Sequence, residues 1–192
     1  MIHARALAKR YGDKRVFAGV DLDVSAGDFA LVTGANGSGK TTLLRLLAGL
    51  AAPSGGALRV ETERVRLGYL AHEPLVYREL TARENLWLFA RLYRVPVPGE
   101  RIGMLLERFG LWDARDERVA SYSRGMQQRL ALCRALLHGP ALLLMDEPYN
   151  ALDSAGMELL DAELAASSAT FVVATHAPER LAARATAQLA LP

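Results

Sequence analysis

Gly34-Ala-Asn-Gly-Ser-Gly39-Lys40-Thr41 decides how the rest of the chain is read. The stretch fits G-x-x-x-x-G-K-[ST] without a mismatch. Its glycines let the backbone curl so that successive N–H groups point at phosphate oxygens. A helix that opens there adds its partial positive charge. Lys40 can reach β and γ phosphates as a point charge. Thr41 can offer its hydroxyl to Mg²⁺ bridging the same phosphates. Asn36, Gly37, Ser38, Gly39, Lys40, Thr41 and Thr42 are therefore candidate phosphate contacts. The context agrees with that reading. Phe29 to Thr33 is a short apolar run suited to a buried strand. Thr41 to Leu50 carries leucines at 43, 44, 46, 47 and 50, which is helical spacing.

Working outward, residues 15–24 alternate partly and read as strand, ended by the turn Ser25-Ala-Gly-Asp28. A strand pair is expected near Ala57–Val60 and Val65–Leu70. From 74 to about 124 the character changes. Thr81 and Glu84 form a capping box, Asn85–Tyr93 has an apolar face, and Arg101–Phe109 reads as a helix stopped by Gly110. Trp87, Phe89, Phe109 and Trp112 are expected to line the core of this helical stretch or its docking groove, with the core preferred. A helix over Gly125–Leu137, a strand over Ala141–Met145 and a helix over Asp153–Ala166 come next. A strand over Thr170–Thr175 and a short helix over Pro178–Ala183 close the series. Strands alternating with helices predict an α/β fold with a mostly parallel sheet core. The expected division is one domain over 1–192, with a core of about 1–73 and 125–192 and an inserted helical subdomain of about 74–124.

Composition narrows the function classes. The chain has 192 residues, 51% hydrophobic and 23% charged, which suits a folded globular domain. A net charge of +2 speaks against a strongly basic nucleic-acid binder, so no nucleic-acid partner is expected. Basic residues are almost all arginine, and Lys9, Lys14 and Lys40 are the only lysines. No stretch approaches eighteen uninterrupted apolar residues, so no membrane span is expected. The single cysteine, Cys133, excludes an internal disulfide, fits a reducing compartment and reads as core. A cytoplasmic chain is the expectation; if it acts at a membrane, a partner must bring it there.

Leu142-Leu-Leu-Met-Asp146-Glu147-Pro148 is an apolar strand ending in two carboxylates. The C-terminal ends of strands in an open parallel sheet face the ligand crevice. Asp146 is thereby placed to hold Mg²⁺. Glu147 becomes the candidate general base for an attacking water.

Between these motifs lies Ser121-Tyr-Ser-Arg-Gly-Met-Gln-Gln-Arg129. With it the chain resembles the nucleotide-binding subunit of ABC transporters, over essentially its whole length and in the expected motif order. That resemblance implies a P-loop ABC ATPase fold, with an N-terminal antiparallel β subdomain beside the parallel core. The family signature is usually Leu-Ser-Gly-Gly-Gln. Here Tyr122 replaces Leu, Arg124 the first Gly and Met126 the Gln, while Ser123 and Gly125 are kept. The resemblance implies that Ser123 and Gly125 face the γ-phosphate bound by a second subunit, so that a homodimer sandwiches two ATP molecules. It implies that Tyr11 stacks on adenine, that His176 donates to the γ-phosphate, and that Asn150-Ala-Leu-Asp153 crosses the dimer interface. Glu147, His176 and Lys40 are the implied catalytic residues, and ATP and Mg²⁺ the implied ligands. The family's Gln, which binds a metal-bound water, falls at His72 or Glu73.

Gly68-Tyr-Leu-Ala-His-Glu-Pro74, the run 79–86 and the short length are similar to the ATP-binding subunit of the haem exporter of cytochrome c maturation. The implied partner is an integral membrane transporter subunit, which holds this chain on the inner face of the cell membrane. A soluble ABC ATPase of repair or translation is the competing class. Repair members carry long heptad insertions, whereas Lys40 and Ser123 lie only 123 − 40 = 83 positions apart here. A non-hydrolysing regulatory ATP-binding module is a further alternative, kept open by the departure at 72–73.

Overall fold

The computed structural model describes residues Met1–Pro192. Its contacts divide the chain into two compact units. The first takes residues 1–72, 141–148 and 168–192. It holds two sheets. β1 (Ile2–Tyr11), β2 (Lys14–Val24) and β4 (Gly55–Val60) form an antiparallel sheet in the order β2-β1-β4. β3 (Phe29–Thr33), β5 (Leu67–Leu70), β6 (Leu142–Asp146), β7 (Thr170–Ala174) and β8 (Ala187–Ala190) form a parallel sheet, ordered β5-β6-β7-β3-β8.

The segments 57–60 and 65–70, expected as a pair, belong to different sheets: β4 pairs with β1, and β5 with β6. The alternating exposure of β4 suits a sheet with one wet face, whereas β6, fully buried, needs cover on both. The helix expected over 178–183 is only a 3₁₀ turn at Ala182–Arg184. The chain does turn from Pro178, with Leu181 N and Ala182 N both donating to Pro178 O at 2.9 and 2.8 Å, but the bonds do not continue as a regular helix.

α1 (Lys40–Leu47) comes directly after the phosphate loop. Leu43, Leu44, Leu46 and Leu47 are buried in the common core of both sheets, with Ile2, Leu7, Phe17, Val32, Leu144 and Val172. Each such side chain contributes roughly 1.5–3 kcal/mol on burial. The loop is therefore anchored from behind by the core itself.

The second unit takes residues 73–140 and 149–167. It contains α2 (Ala82–Leu92), α3 (Pro98–Arg108), α4 (Arg124–Leu136) and α5 (Ser154–Ala166). It thus extends beyond the subdomain expected at 74–124, taking in α4 and α5. The capping box of α2 is present: Glu84 N donates to Thr81 Oγ1 at 3.1 Å and Thr81 N to Glu84 Oε2 at 2.8 Å. Pro98 opens α3, where its missing N–H is harmless. Phe109 is fully buried and Cys133 lies in the core. Trp87 and Trp112, for which the core is the preferred of two expected places, are 39% and 40% exposed. Arg115 stacks over Trp112 at 4.0 Å from the ring centroid, which keeps one face of the indole covered.

Candidate nucleotide site

Strand register builds the site. β3 pairs with β7 so that Val32 faces Ala174, and β7 pairs with β6 so that Ala174 faces Asp146. Three strands thus end at one level. The residues just beyond those ends meet one another: the glycine loop after β3, Glu147 after β6, Thr175 and His176 after β7. Backbone bonds fasten the level, Thr175 N to Val32 O at 3.0 Å and Glu147 N to Ala174 O at 2.8 Å.

Gly39 is the tight point of the loop. Its φ is +103°, and a Cβ there would come within 2.8 Å of both Val16 and Phe17 on β2. Only glycine lets the second strand close on the loop. Lys40 is buried. Its Nζ donates to Gly34 O at 2.8 Å and to Ala35 O at 3.2 Å, and lies 3.9 Å from Glu147 Oε1. The ammonium is thereby held inside the cradle by the loop's own carbonyls.

Thr41 Oγ1 donates to Asp146 Oδ2 at 2.6 Å. Asp146 is only 1% exposed, and burial pushes its carboxyl above the ordinary range. The Thr41 hydrogen bond, His72 and Lys40 act against that rise, while Glu147 adds to it. Glu147 is the most constrained residue. Its φ is +49°, uncommon for a side chain with a Cβ. Its Oε2 accepts from Thr175 Oγ1 at 3.0 Å and its Oε1 from His176 N at 2.9 Å. His176 Nδ1 lies 2.8 Å from the same Oε1 and donates in the tautomer protonated there. The His176 ring is itself half exposed.

Lys40, Thr41, Asp146 and Glu147 border a cavity of about 410 Å³, lined also by Tyr11, Lys14, Arg15, Val16, Asn36, Gly37, Gly39, Thr42 and His72; His176 and Ser38, expected at the site, are not among its lining residues. The size suits a nucleotide-sized ligand. The donor set also fits Mg²⁺, which takes oxygen ligands and is usually held by one or two protein groups plus substrate phosphates. Here a hydroxyl and a carboxylate sit side by side, and Ser38 Oγ is buried in the same loop without a partner.

Of the two residues weighed for the Gln position, His72 lines the cavity and acts on Asp146, and Glu73 does not line it. Ser123 and Gly125 lie outside the lining, in the second unit. Ser123 caps α4, its Oγ accepting from Met126 N at 3.2 Å. Gly125 permits close approach of the loop after β6: a Cβ there would stand 3.0 Å from Ala151 O. Asp153 caps α5 through Gly156 N at 2.8 Å. Tyr122 is buried where the family has Leu. Its hydroxyl donates to Ala114 O at 2.7 Å, and burial pushes the phenol up to about 12.

Sequence reading passed over Thr175, Lys14, Arg15 and Val16. Thr175 gave no signal beyond standing beside His176. Lys14 did give one, as one of three lysines in a chain with twenty arginines.

The glycine loop, the paired carboxylates and His176 at the ends of one parallel sheet define a class of nucleotide-binding cassettes. The family model described as ABC transporter matches residues 17–150, and the chain belongs to that family. It is similar to the cytochrome c biogenesis ATP-binding export protein CcmA 2 of Salmonella paratyphi A, at 39% identity over all of this chain and 97% of that protein. It is also similar to the uncharacterized ABC transporter ATP-binding protein YdbJ of Bacillus subtilis, at 38% identity over 82% of this chain. The chain spans 54% of the length of that second relative. Among solved structures, an ATP-binding subunit of an ABC transporter superposes with TM-score 0.91 at 26% identity, covering 99% of this chain and 85% of that one. A dimeric post-hydrolysis state of the ATP-binding cassette MJ0796, bound to ADP and Pi, superposes with TM-score 0.86 at 27% identity, covering 100% and 94%.

Proposed function

We propose that the chain binds and hydrolyses ATP as a pair of identical copies, and so drives export through a separate integral membrane subunit. One observation carries the chemistry: Lys40, the Thr41–Asp146 pair and Glu147 line a single cavity, with His176 hydrogen-bonded to Glu147. Tyr11 stacks on the adenine. The backbone of Asn36, Gly37, Ser38 and Gly39, with Thr42, donates along the phosphate chain. Lys40 exchanges the carbonyls of Gly34 and Ala35 for β and γ oxygens. Thr41 and Asp146 would hold Mg²⁺, with His72 reaching it through water, and the ion when bound neutralises charge on those oxygens. Glu147 orients the attacking water and takes its proton. To do so it gives up His176, which is then free to donate to the γ-phosphate.

Ser123 and Gly125 supply the donors for the nucleotide bound by the other copy. A preorganised donor on transition-state charge is worth roughly 3–4 kcal/mol. Export in the service of cytochrome c maturation, with haem as cargo, is the finer reading. It is supported by the CcmA relatives, which are matched over nearly their whole length. No helix of the chain is long and apolar enough to cross a membrane, so this reading needs the membrane subunit for attachment to the inner face.

The test is Mg-ATP hydrolysis by the purified chain beside Glu147→Gln. Turnover in the first and none in the second, with ATP bound by both, is the expected result. ATP bound without turnover by the unchanged chain would point to a subunit silent without its membrane partner or to the regulatory module.

A further inference from the structure

We propose that Lys14 and Arg15 form a second cationic contact for the nucleotide, on the stretch between base and β-phosphate, so that they recognise the α-phosphate. The proposal rests on the nucleotide reading of the cavity. Three observations carry it. First, both residues line the cavity, and neither side chain makes a hydrogen bond or an ion pair within the chain. Second, their position along the cavity is fixed from both sides. Lys14 pairs with Tyr11 across the β1–β2 hairpin, while the next residue, Val16, packs on Gly39 of the phosphate loop. Lys14 and Arg15 therefore stand between the end where Tyr11 sits and the end where Lys40, Thr41 and Asp146 sit. Lys40 already serves the β/γ end.

Third, the hairpin holds cations against one another. Arg15 is the direct cross-strand partner of Arg10, and like charges so placed are destabilising. Arg10 has Asp13 at 4.0 Å as a counter-charge, and Lys9 is spent on Ala52 O at 2.7 Å and on the face of Tyr11. Lys14 and Arg15 are left without a counter-ion on a cavity wall, and an anion entering there relieves the repulsion. A nucleotide phosphate is the anion whose other groups the same cavity accommodates. Arg15 suits the task through its fork of donors, Lys14 as a mobile point charge.

The experiment is equilibrium binding of ATP, ADP and adenosine to the full chain, at several salt concentrations, for the unchanged protein and for Lys14→Gln/Arg15→Gln. Arg10→Gln is the control: the same hairpin and the same loss of charge, outside the cavity lining. Thermal melting of each variant verifies folding. The double variant is expected to weaken ATP and ADP by the same factor, about tenfold. Its affinity should fall less steeply with salt, adenosine binding should be unchanged, and Arg10→Gln should shift nothing by more than about twofold. Arg15→Glu should weaken both nucleotides further. Equal affinities in the double variant and the unchanged chain would overturn the proposal, as would a loss confined to ATP, which would put the cations at the γ-phosphate. An equal loss for adenosine would mean a packing effect and would also overturn it. Failure of the unchanged chain to bind ATP at all would instead sink the nucleotide reading itself.

Discussion

The phosphate-loop region and the signature region are built by opposite means. At the loop, the groups that matter come from residues far apart in sequence: Thr41 meets Asp146, and Glu147 meets Thr175 and His176. Sheet register brings them together, and each of these polar groups is tied to another before any ligand arrives. At Ser123–Gly125 the hydrogen bonds are local, and the one distant neighbour is the backbone of Ala151. Ser123 caps its own helix, Gln127 Nε2 reaches Tyr122 O at 3.0 Å, and Gly125 accommodates Ala151. The first region is a preorganised site; the second is a helix N-terminus whose donors satisfy only a cap. Changes in the first region should therefore strike chemistry within a chain. Changes in the second should strike only what needs another chain.

The largest expected effect is at Glu147. Glu147→Gln keeps the shape and removes the base, so kcat should fall by about 10²–10⁴-fold while ATP binding persists. Steady-state turnover with a parallel binding titration measures both. Ser123→Ala comes next. It should lower kcat by roughly tenfold to a hundredfold, yet leave ATP affinity of dilute chain unchanged. Equal damage to dilute-chain affinity would erase the contrast between the two regions. Thr175→Val removes one donor to Glu147 and leaves the others. A kcat about three- to tenfold lower, with ATP affinity held, is expected.

Tyr122→Phe sharpens the comparison from the structural side. It should lower stability by about 1 kcal/mol through the lost bond to Ala114 O, seen as a melting shift of about 2–4 °C, with the loop chemistry unaffected. Cys133 is the smallest effect. Burial raises its thiol, so the folded chain holds the proton where the unfolded chain releases it. That contribution is present below the ordinary thiol pKa of 9.0 and declines as pH rises above it. Alkylation at about pH 8.5, near the free-thiol pKa, should be slow in native chain and fast in denaturant.

The same contrast governs what the sequence made legible. Local chemistry read well. The capping box at Thr81 and the leucines of α1 are each encoded within one or two turns. Pairings did not. β1 carries register shifts and Ala6 at φ +45°, which break the alternation a strand should show. β8 is short and half exposed, with no apolar run. The partners of residues 57–60 and 67–70 are set by sheet order, which no local pattern contains. Glu147 and His176 could be named from motif order. Their contact, through a strand end registered on Ala174, could not. Lys14 and Arg15 were missed because a charged hairpin end usually faces only solvent, and it takes the fold to bring both to the border of the cavity.

The most direct test of the central claim, that a working site needs Lys40 and Glu147 of one chain and Ser123 of another, is specific ATPase activity against chain concentration. Activity per chain should rise with concentration and level off once the dimer dominates, and the Ser123→Ala chain should show a much lower plateau. Activity per chain that stays constant down to dilutions where sedimentation finds only monomer would contradict it.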